Sequence, residues 1–331
     1  MNKTKKILEV LCMQLEEIKS LADRIKANIS RVIVGKSDVM DLVLTALIAG
    51  GHVLLEDVPG MGKTMLAKSL ARSIDAEFRR IQFTPDLLPS DLTGINFYNQ
   101  KLGEFVFRPG PIFSQILLAD EINRATPRTQ SSLLECMEER QVTIDGETHL
   151  LKQPFFVIAT QNPVEIQGTF PLPEAQLDRF LMKIKLGYPT LEEGKEILSR
   201  FNGDNPLDYM EAVGNALQIA DAQASFSAVF VSDVIREYIL RIAEATRQHQ
   251  GVALGVSPRG CLAVMKSAQV WAILKGRDYV LPDDVQDTAV PVLSHRIILK
   301  GNARVRGTAA EEIIQGILEE VPAPTEDLQE V

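Results

Sequence analysis

The hydrophobic pattern divides this chain into two parts that differ in their predicted elements. In the first part, short apolar segments predict strands at residues 53–56, 80–84, 116–119, 155–159 and 181–186. Apolar residues spaced three and four positions apart predict helices at residues 5–31, 38–47, 65–71, 129–139 and 191–200. Strands that alternate with helices are typical of an α/β fold, in which helices flank a mostly parallel sheet.

The second part begins after the polar loop at residues 202–206 and is predicted to be helical. Helical patterns recur from Asp233 onward, at residues 233–248, 257–274 and 282–293. Pro and Glu recur throughout the last dozen residues, which is typical of a frayed segment. We therefore predict an α/β domain, a helical domain and a flexible tail, over residues 1–200, 206–320 and 321–331.

The first predicted helix carries a single apolar stripe. Its members are spaced alternately four and three residues apart: Leu11, Leu15, Ile18, Ala22, Ile25 and Ile29. A stripe of this kind is expected to pack against the domain that contains the helix. A short coiled coil is the alternative.

Two hairpins are predicted within the α/β domain. A helix is expected to open at Thr84-Pro85-Asp86, and aromatic pairs on either side of Gly103 then indicate a hairpin at residues 95–111. The dipeptide Asp145-Gly146 predicts the turn of a second hairpin at residues 140–151. The tip of the second hairpin is a candidate contact with a substrate, although a purely structural hairpin fits the pattern equally well.

The segment that follows the first strand predicts a phosphate-binding loop. Gly60 and Gly62 allow the backbone N–H groups between strand and helix to point inward at an anion. Lys63 can reach the β- and γ-phosphates of a nucleotide, and the Thr64 hydroxyl can hold Mg²⁺. Asp57 stands where such loops usually open with glycine. The loop conformation depends mainly on the later glycines, so the sequence still predicts a phosphate-binding loop.

A candidate cover for the base of a nucleotide lies just upstream of this loop. The segment Val32-Ile33-Val34-Gly35-Lys36 is apolar, and its backbone amides could bond a flat base. A simple core segment would look the same. The complete set of expected nucleotide-binding residues is Val34, Gly35, Pro59, Gly60, Met61, Gly62, Lys63, Thr64 and Met65.

Polar residues follow two later strands of the predicted sheet. Asp120 and Glu121 come directly after the apolar run at residues 116–119, and Asn162 follows the strand at residues 155–159. Ligands bind at the carboxyl ends of strands in open α/β sheets. Asp120 is therefore expected to hold Mg²⁺, and Glu121 to polarise the attacking water as a general base. Asn162 is placed to orient that water, although Asn before Pro also marks ordinary turns.

Composition narrows the class of protein. The 331 residues include 35 Lys and Arg against 44 Asp and Glu, a formal net charge of −9, which argues against nucleic acid as the default partner. Cys12, Cys136 and Cys261 are too widely spaced for a metal site or a disulfide framework, which favours a reducing compartment. No signal peptide and no long apolar run is recognisable, so a cytoplasmic location is expected.

The motifs together resemble those of AAA+ ATPases. They occur in that family's order: the phosphate loop, Asp120-Glu121, Asn162, Asp178-Arg179-Phe180 and Ser257-Pro258-Arg259. The two hairpins are similar to those of its helix-2-insert branch. Three segments are most similar to the MoxR ATPases: Glu56-Asp57-Val58-Pro59-Gly60, Asp120-Glu121-Ile122-Asn123-Arg124-Ala125 and Ala159-Thr160-Gln161-Asn162-Pro163.

The resemblance implies a role for each motif. Lys63 and Thr64 match Walker A, Asp120 and Glu121 match Walker B, and Asn162 matches sensor 1. Arg179 matches the arginine finger that reaches the neighbouring subunit's nucleotide, and Arg259 matches sensor 2. The implied fold is a P-loop AAA+ parallel sheet followed by an all-helical lid domain.

The resemblance also implies a function. The expected activity is Mg²⁺-dependent hydrolysis of ATP by a ring, expected to be a hexamer, that remodels or helps to mature client proteins. Clients with von Willebrand A domains are among those implied. Two alternatives remain open from the sequence: a nucleic-acid motor, and a nucleotide-switch subunit of a chelatase-like machine.

Overall fold

A five-stranded parallel sheet forms the centre of the α/β domain. The computed structural model describes residues 13–163, 168–301 and 309–324. The sheet has the strand order β2-β5-β8-β1-β9, with β2 at Phe78–Gln82, β5 at Ile116–Asp120, β8 at Phe156–Gln161, β1 at Val53–Glu56 and β9 at Met182–Ile184. All neighbouring strands of this sheet pair in parallel, as the buried apolar runs predicted.

The remaining elements follow in chain order. The helices of the α/β domain are α1 Leu15–Ile29, α2 Ser37–Ile48, α3 Lys63–Ser73, α4 Pro89–Thr93, α5 Pro127–Glu139, α6 Glu174–Leu177 and α7 Leu191–Arg200. The two predicted hairpins are confirmed as β3 Gly94–Asn99 with β4 Glu104–Pro109, and β6 Gln141–Ile144 with β7 Glu147–Leu150. The second part contains α8 Ala216–Ser225, α9 Asp233–Gln248, β10 Val252–Leu254, α10 Pro258–Leu274, α11 Pro282–Leu293, β11 Ile298–Leu299 and α12 Ala310–Glu320.

The sheet separates two apolar cores. Because successive side chains of a strand point to opposite faces, Leu117 and Ala119 of β5 face one core, and Ile116 and Leu118 face the other. The second of these cores continues into the helices that follow residue 215, so one hydrophobic interior joins the sheet to the helical domain.

The helical domain also contains a small sheet. Strands β10 and β11 pair antiparallel between the helices, and this pair was not predicted from the sequence. Helix α8 was missed as well. The expected helix bounds at 233–248, 257–274 and 282–293 agree with α9, α10 and α11 to within one residue. Helix α12 ends at Glu320, directly before the predicted tail, of which residues 325–331 lie outside the described part.

Helix α1 packs on its own α/β domain, as predicted, and also on the helical domain, which was not predicted. The side chains of Ile18, Ala22, Ile25 and Ile29 are almost completely buried in the core shared with the helical domain. The coiled-coil alternative is therefore wrong for the described helix, while Leu11 lies outside the described residues. Of the helices in the described ranges, none is both long enough and apolar enough to cross a membrane.

Two local predictions are wrong. The segment Thr84-Pro85-Asp86 forms a turn instead of opening a helix, because helix α4 begins only at Pro89, where the Asp91 carboxylate accepts the Leu88 N–H at 2.9 Å. Strand β2 starts and ends two residues before the expected 80–84. Its last pairing partner is Asp120, and the next residue, Phe83, is completely buried.

Two buried histidines are expected to make stability depend on pH. Burial, reinforced by Arg140 near His52 and by Arg296 near His295, lowers the pKa of both side chains well below the usual 6.5. The folded protein keeps them neutral, so the unfolded state binds more protons once the pH falls below about 6.5. We expect the contribution of these histidines to the free energy of unfolding to be constant above that pH and to fall by up to about 1.4 kcal/mol per pH unit for each histidine below it.

Urea unfolding midpoints measured between pH 5 and 8 test this expectation. Ordinary carboxylates have pKa values near 4 and contribute little in that window. The variant His295→Gln keeps a donor for the Phe180 carbonyl, which the imidazole contacts at 3.0 Å, and should show a shallower slope. An unchanged slope in this variant would contradict the assignment.

Candidate active site

The strand register brings the predicted phosphate loop and the predicted acids to one edge of the sheet. Glu56 at the end of β1 lies opposite Gln161 of β8, and Ala119 of β5 lies opposite Ala159 of β8. Asp120 and Asn162 therefore end neighbouring strands, at the same carboxyl edge as the loop that follows β1. This is the edge at which open α/β sheets bind ligands.

The phosphate loop has the backbone that its glycines predicted. Gly60 and Gly62 have φ angles of 87° and 84°, and the helix that carries Thr64 begins at Lys63. The Lys63 side chain is nearly buried, and its ammonium donates to the Asp57 carbonyl oxygen at 2.7 Å. Burial lowers the pKa of Lys63, while the carboxylates of Asp120, Asp57 and Glu121 oppose the change.

Asp57, the departure from the usual loop sequence, connects the loop to the neighbouring strand. Its two carboxylate oxygens accept the backbone N–H groups of Leu186 at 2.6 Å and Gly187 at 3.2 Å. These residues follow strand β9, which pairs with β1. A carboxylate that bonds two otherwise free backbone donors fixes the loop's first residue against the edge strand, which glycine cannot do.

Thr160 joins the two acids at the end of β5. Its hydroxyl donates to the Asp120 carboxylate at 2.6 Å and accepts the Glu121 backbone N–H at 2.8 Å. Asp120 also accepts from the Arg80 guanidinium at 2.7 Å. Two bonds of this kind hold the Asp120 carboxylate in one orientation at the edge of the sheet.

Glu121 has an unusual backbone conformation. Its φ of 56° and ψ of 51° lie in the left-handed region, which costs a residue with a side chain roughly 1–2 kcal/mol. Its carboxylate accepts from Gln82 at 2.7 Å and from Arg124 at 3.1 Å. Strained backbone that the surroundings hold in place is common at functional sites. Here it turns the Glu121 side chain away from the direction of strand β5.

The segment predicted to cover the base lies beside the loop. Val34 is buried, and Gly35, with a φ of 65°, lies directly against the side chain of Glu193 at the start of α7. Val32 forms a small apolar cluster with Leu207 and Met210. Ile33 and Met65 pack onto this cluster. The cluster gives this end of the loop an apolar surface.

Arg179 and Arg259 lie at the opposite edge of the sheet. The residue two after Arg179, Leu181, donates its N–H to the His52 carbonyl at 2.8 Å, just before the start of β1. Strand β1 has four residues, so this edge lies about 13 Å from the phosphate loop. Arg259 contacts Glu138 and, at 3.7 Å, Asp178.

A cleft of about 310 Å³ opens between these two arginines. Its charged lining residues are Glu138, Arg140, Asp178, Arg179, Arg259, Lys266 and Arg296. The lining thus carries more cations than anions. An ion pair of Arg179 with Asp178 or another nearby acid within the chain is the alternative to a finger. Among the described residues, however, the Asp178 carboxylate accepts from Arg296 at 2.7 Å and lies 3.7 Å from the Arg259 guanidinium.

The residues present at the loop fit a magnesium nucleotide. An ideal Cβ added at Gly60 or Gly62 would meet no atom within 4 Å, so the concave side of the loop is open. The Thr64 hydroxyl and the Asp120 carboxylate are hard oxygen donors of the type that Mg²⁺ prefers. Within the described ranges, no group of three or more acidic, His or Cys side chains is placed to bind a metal ion. Nucleotide phosphates would have to supply further ligands.

Comparison with known proteins defines the class. The sequence model of the ATPase family associated with various cellular activities (AAA) matches residues 52–182, and that of the AAA lid domain matches residues 244–317. The structure of a putative ATPase from Cytophaga hutchinsonii superposes with a TM-score of 0.87 at 39% identity, over 93% of this chain and 96% of that one. Fold and sequence thus define an AAA-type ATPase with a helical lid.

Relatives in sequence define the family. Chaperone MoxR1 of Mycobacterium tuberculosis is 41% identical over 90% of this chain and 81% of its own length. Protein MoxR of Methylorubrum extorquens is 31% identical over 94% and 97%. The uncharacterised protein YeaC of Bacillus subtilis is 53% identical over 94% and 97%. The chain belongs to the MoxR family of AAA+ ATPases.

Four residues around the acids were missed in the sequence: Arg80, Gln82, Arg124 and Thr160. Arg80 and Gln82 are two positions apart at the end of β2, so their side chains lie on the same face of the strand. Their closeness to Asp120 and Glu121 follows only from the pairing of β2 with β5. Thr160 comes directly before the polar end of β8. This position was the one signal in the sequence that Thr160 belongs to the site, because residues at the ends of neighbouring strands meet at one edge of the sheet.

Proposed function

We propose that this protein is a Mg²⁺-dependent ATPase that works as a ring and remodels partner proteins. The observation that carries the proposal is the meeting of Lys63, Asp120 and Glu121 at one edge of the sheet. There Thr160 bonds the Asp120 carboxylate and the Glu121 backbone N–H, and Gln82 and Arg124 bond the Glu121 carboxylate. A buried ammonium beside two oriented carboxylates suits a polyphosphate and its metal better than it suits any uncharged ligand.

Each residue of the loop edge then has a defined task. Lys63 exchanges its bond to the Asp57 carbonyl for the β- and γ-phosphates. Thr64 and Asp120 hold Mg²⁺, which neutralises charge on the phosphates when it is bound. Glu121 polarises the water that attacks the terminal phosphorus, and Asn162 at the end of β8 orients that water. Val34, Gly35 and Met65 provide the surface on which the base lies. The backbone from Pro59 to Gly62 surrounds the phosphates.

Both arginines are proposed to act on the nucleotide of a neighbouring subunit. Arg179 and Arg259 lie at the edge of the sheet that faces away from their own phosphate loop, about 13 Å along β1. Neither can reach the nucleotide of its own chain without a large rearrangement. A head-to-tail contact would place this cationic edge against the loop of the next copy, and repetition of such a contact closes a ring. We propose a hexamer.

The partner is proposed to be a protein. The relative named Chaperone MoxR1 supports a chaperone-like role, and proteins with von Willebrand A domains are the client class that we propose. The hairpin β3–β4 carries exposed Phe97, Tyr98, Leu102 and Phe105, which is more apolar surface than a solvated loop normally shows. Their exposure makes the hairpin the proposed client contact.

Hydrolysis of ATP by the isolated protein tests this proposal. We expect steady phosphate release that requires Mg²⁺ and that the variant Lys63→Ala abolishes together with nucleotide binding, because the loop then lacks the nearly buried ammonium that meets the phosphates. The variant Lys68→Ala, one turn along α3 and exposed, is the matched control and should behave as the parent. Unchanged nucleotide affinity in Lys63→Ala would contradict the site.

A further inference from the structure

The segment that carries Arg179 is held by the helical domain. This segment runs from the end of α6 at Leu177 to the start of β9 at Met182 and has no regular structure of its own. Its backbone carbonyl groups at Asp178, Phe180 and Leu181 need hydrogen-bond donors, and water would supply them if nothing covered the segment. Instead they accept hydrogen bonds from two consecutive residues, His295 and Arg296, which lie between α11 and β11.

Arg296 makes most of these bonds. Its Nη2 donates to the carbonyl oxygens of Phe180 at 2.7 Å and Asp178 at 3.3 Å, and its Nη1 donates to that of Leu181 at 3.0 Å. Its Nε donates to the Asp178 carboxylate at 2.7 Å. The guanidinium thus spans the peptide on both sides of Arg179.

The burial of Arg296 makes this arrangement specific. The side chain is only 3% exposed, and burial lowers its pKa to about 10, with Asp178 opposing the change. A buried guanidinium is tolerated only when its donors are bonded, so its partners cannot be exchanged for water at little cost. A further bond to the Val292 carbonyl at the end of α11 anchors Arg296 in the helical domain.

Arg296 bonds the backbone on both sides of Arg179 but not the Arg179 side chain. The Asp178 carboxylate beside it already accepts from Arg296 at 2.7 Å and lies 3.7 Å from Arg259. Arg179 itself is half-buried and lines the open cleft. The direction in which Arg179 leaves the surface therefore depends on the backbone that Arg296 holds.

We infer that Arg296 is a positioning residue, through which the helical domain sets the place of Arg179 relative to the neighbouring subunit's nucleotide. This inference rests on the proposed function. Arg259 is carried by the same domain and forms an ion pair with Asp178 at 3.7 Å, so both cations would shift together when the helical domain moves. The site of one subunit would thereby respond to the domain arrangement of the next.

The alternative is that Arg296 only attaches the helical domain to the sheet. In that case its loss would lower stability and would affect the subunit's own nucleotide site. A matched control exists in Arg277, which donates two hydrogen bonds to Asp284, at 2.7 and 2.6 Å, entirely within the helical domain. Its variant removes a comparable buried ion pair without touching the Arg179 segment.

The experiment compares Arg296→Gln, Arg277→Gln and Arg179→Ala in the full chain. We expect Arg296→Gln to lower kcat about 10- to 100-fold, because a displacement of about 1 Å in a catalytic group has effects of this size. KM and the affinity for a fluorescent ATP analogue should stay within about twofold, because the variant's own phosphate loop is intact. Arg277→Gln should keep its kcat even where its unfolding midpoint falls.

Mixed rings give the decisive measurement. Subunits of Glu121→Gln bind nucleotide and carry intact arginines, so mixing them with Arg296→Gln should restore activity, as with Arg179→Ala. Mixing Arg296→Gln with Arg179→Ala should restore none, because both lack the same function. Restoration for Arg179→Ala but not for Arg296→Gln would overturn the inference alone, as would unchanged kcat or weakened nucleotide binding in Arg296→Gln.

Two further outcomes are distinguishable. If Arg179→Ala itself is not restored by Glu121→Gln, the proposed action between subunits fails, and this inference fails with it. If Arg296→Gln does not fold, Asp178→Asn replaces it, because it removes the carboxylate that Arg296 bonds and leaves the guanidinium in place. Asp178→Asn must then be restored by Glu121→Gln and not by Arg179→Ala, and any other pattern overturns the inference.

Discussion

Replacing Glu121 by Gln should stop hydrolysis while ATP stays bound. The amide keeps the shape of the carboxylate and can still meet Gln82 and Arg124, which contact the side chain at 2.7 and 3.1 Å. It cannot accept a proton from water. Loss of a general base lowers kcat by about 10²- to 10⁴-fold, and we expect a decrease in that range.

Phosphate release and nucleotide retention, measured on the same preparation, test this expectation. Affinity for ATP should change by no more than a few-fold, since Lys63 and the backbone of the loop are unaltered. Glu135→Gln replaces an exposed carboxylate on α5 and is the matched control. Normal hydrolysis in Glu121→Gln would show that the base is assigned to the wrong residue.

The same variant provides a way to identify clients. A protein that holds ATP without turnover is expected to remain in its client-bound state, because release needs the hydrolysis step. Capture of a partner by Glu121→Gln, and its absence with Lys63→Ala, would support a remodelling role. DNA-stimulated hydrolysis that weakens steeply with salt would favour the nucleic-acid motor instead.

Removing the side chain of Arg179 is expected to have the largest effect that acts between subunits. An arginine finger supplied by a neighbour changes the rate of GTP hydrolysis by about 10³- to 10⁵-fold, and we expect Arg179→Ala to lower kcat on that scale. Nucleotide binding should be unchanged, because Arg179 lies at the far edge of the sheet from Lys63. Arg128→Ala, on an exposed part of α5, is the control.

Mixing distinguishes action between subunits from action within one. In an equal mixture of Arg179→Ala and Glu121→Gln, about one quarter of the contacts should join an intact loop to an intact arginine, if subunits assemble at random head to tail. Activity near that fraction of the parent is expected. No restoration, or full activity of the parent as a monomer, would contradict a shared site.

Much of the site could be predicted because its parts are local in sequence. Gly60 and Gly62 determine the backbone of the loop, whose φ angles of 87° and 84° only glycine adopts readily. The apolar runs before Asp120 and Asn162 predicted that both residues end buried strands, and strands β5 and β8 confirm this. Patterns that depend on a few consecutive residues are visible in any chain that contains them.

The role of Asp57 depends on residues that are distant in sequence. In the sequence, Asp57 replaces the usual glycine with no visible reason. Its carboxylate accepts the N–H groups of Leu186 and Gly187, which lie some 130 residues later in the chain. Only the pairing of β1 with β9 brings them together. The predicted helix start at residues 84–86 was wrong for a related reason, because the completely buried Phe83 just before it is held by the core and not by local propensity.

The sequence by itself determined the phosphate loop, the two acids, the parallel sheet and the helical second part, because short-range patterns of glycine, charge and apolar residues specify each of them. Tertiary structure alone decided which polar groups meet: the Thr160 hydroxyl with the Asp120 carboxylate and the Glu121 backbone N–H, Arg80 with Asp120, and Arg296 with the backbone of the Arg179 segment. It also decided that Arg179 and Arg259 face away from their own loop. Such contacts depend on strand order and domain packing, which a one-dimensional pattern does not specify.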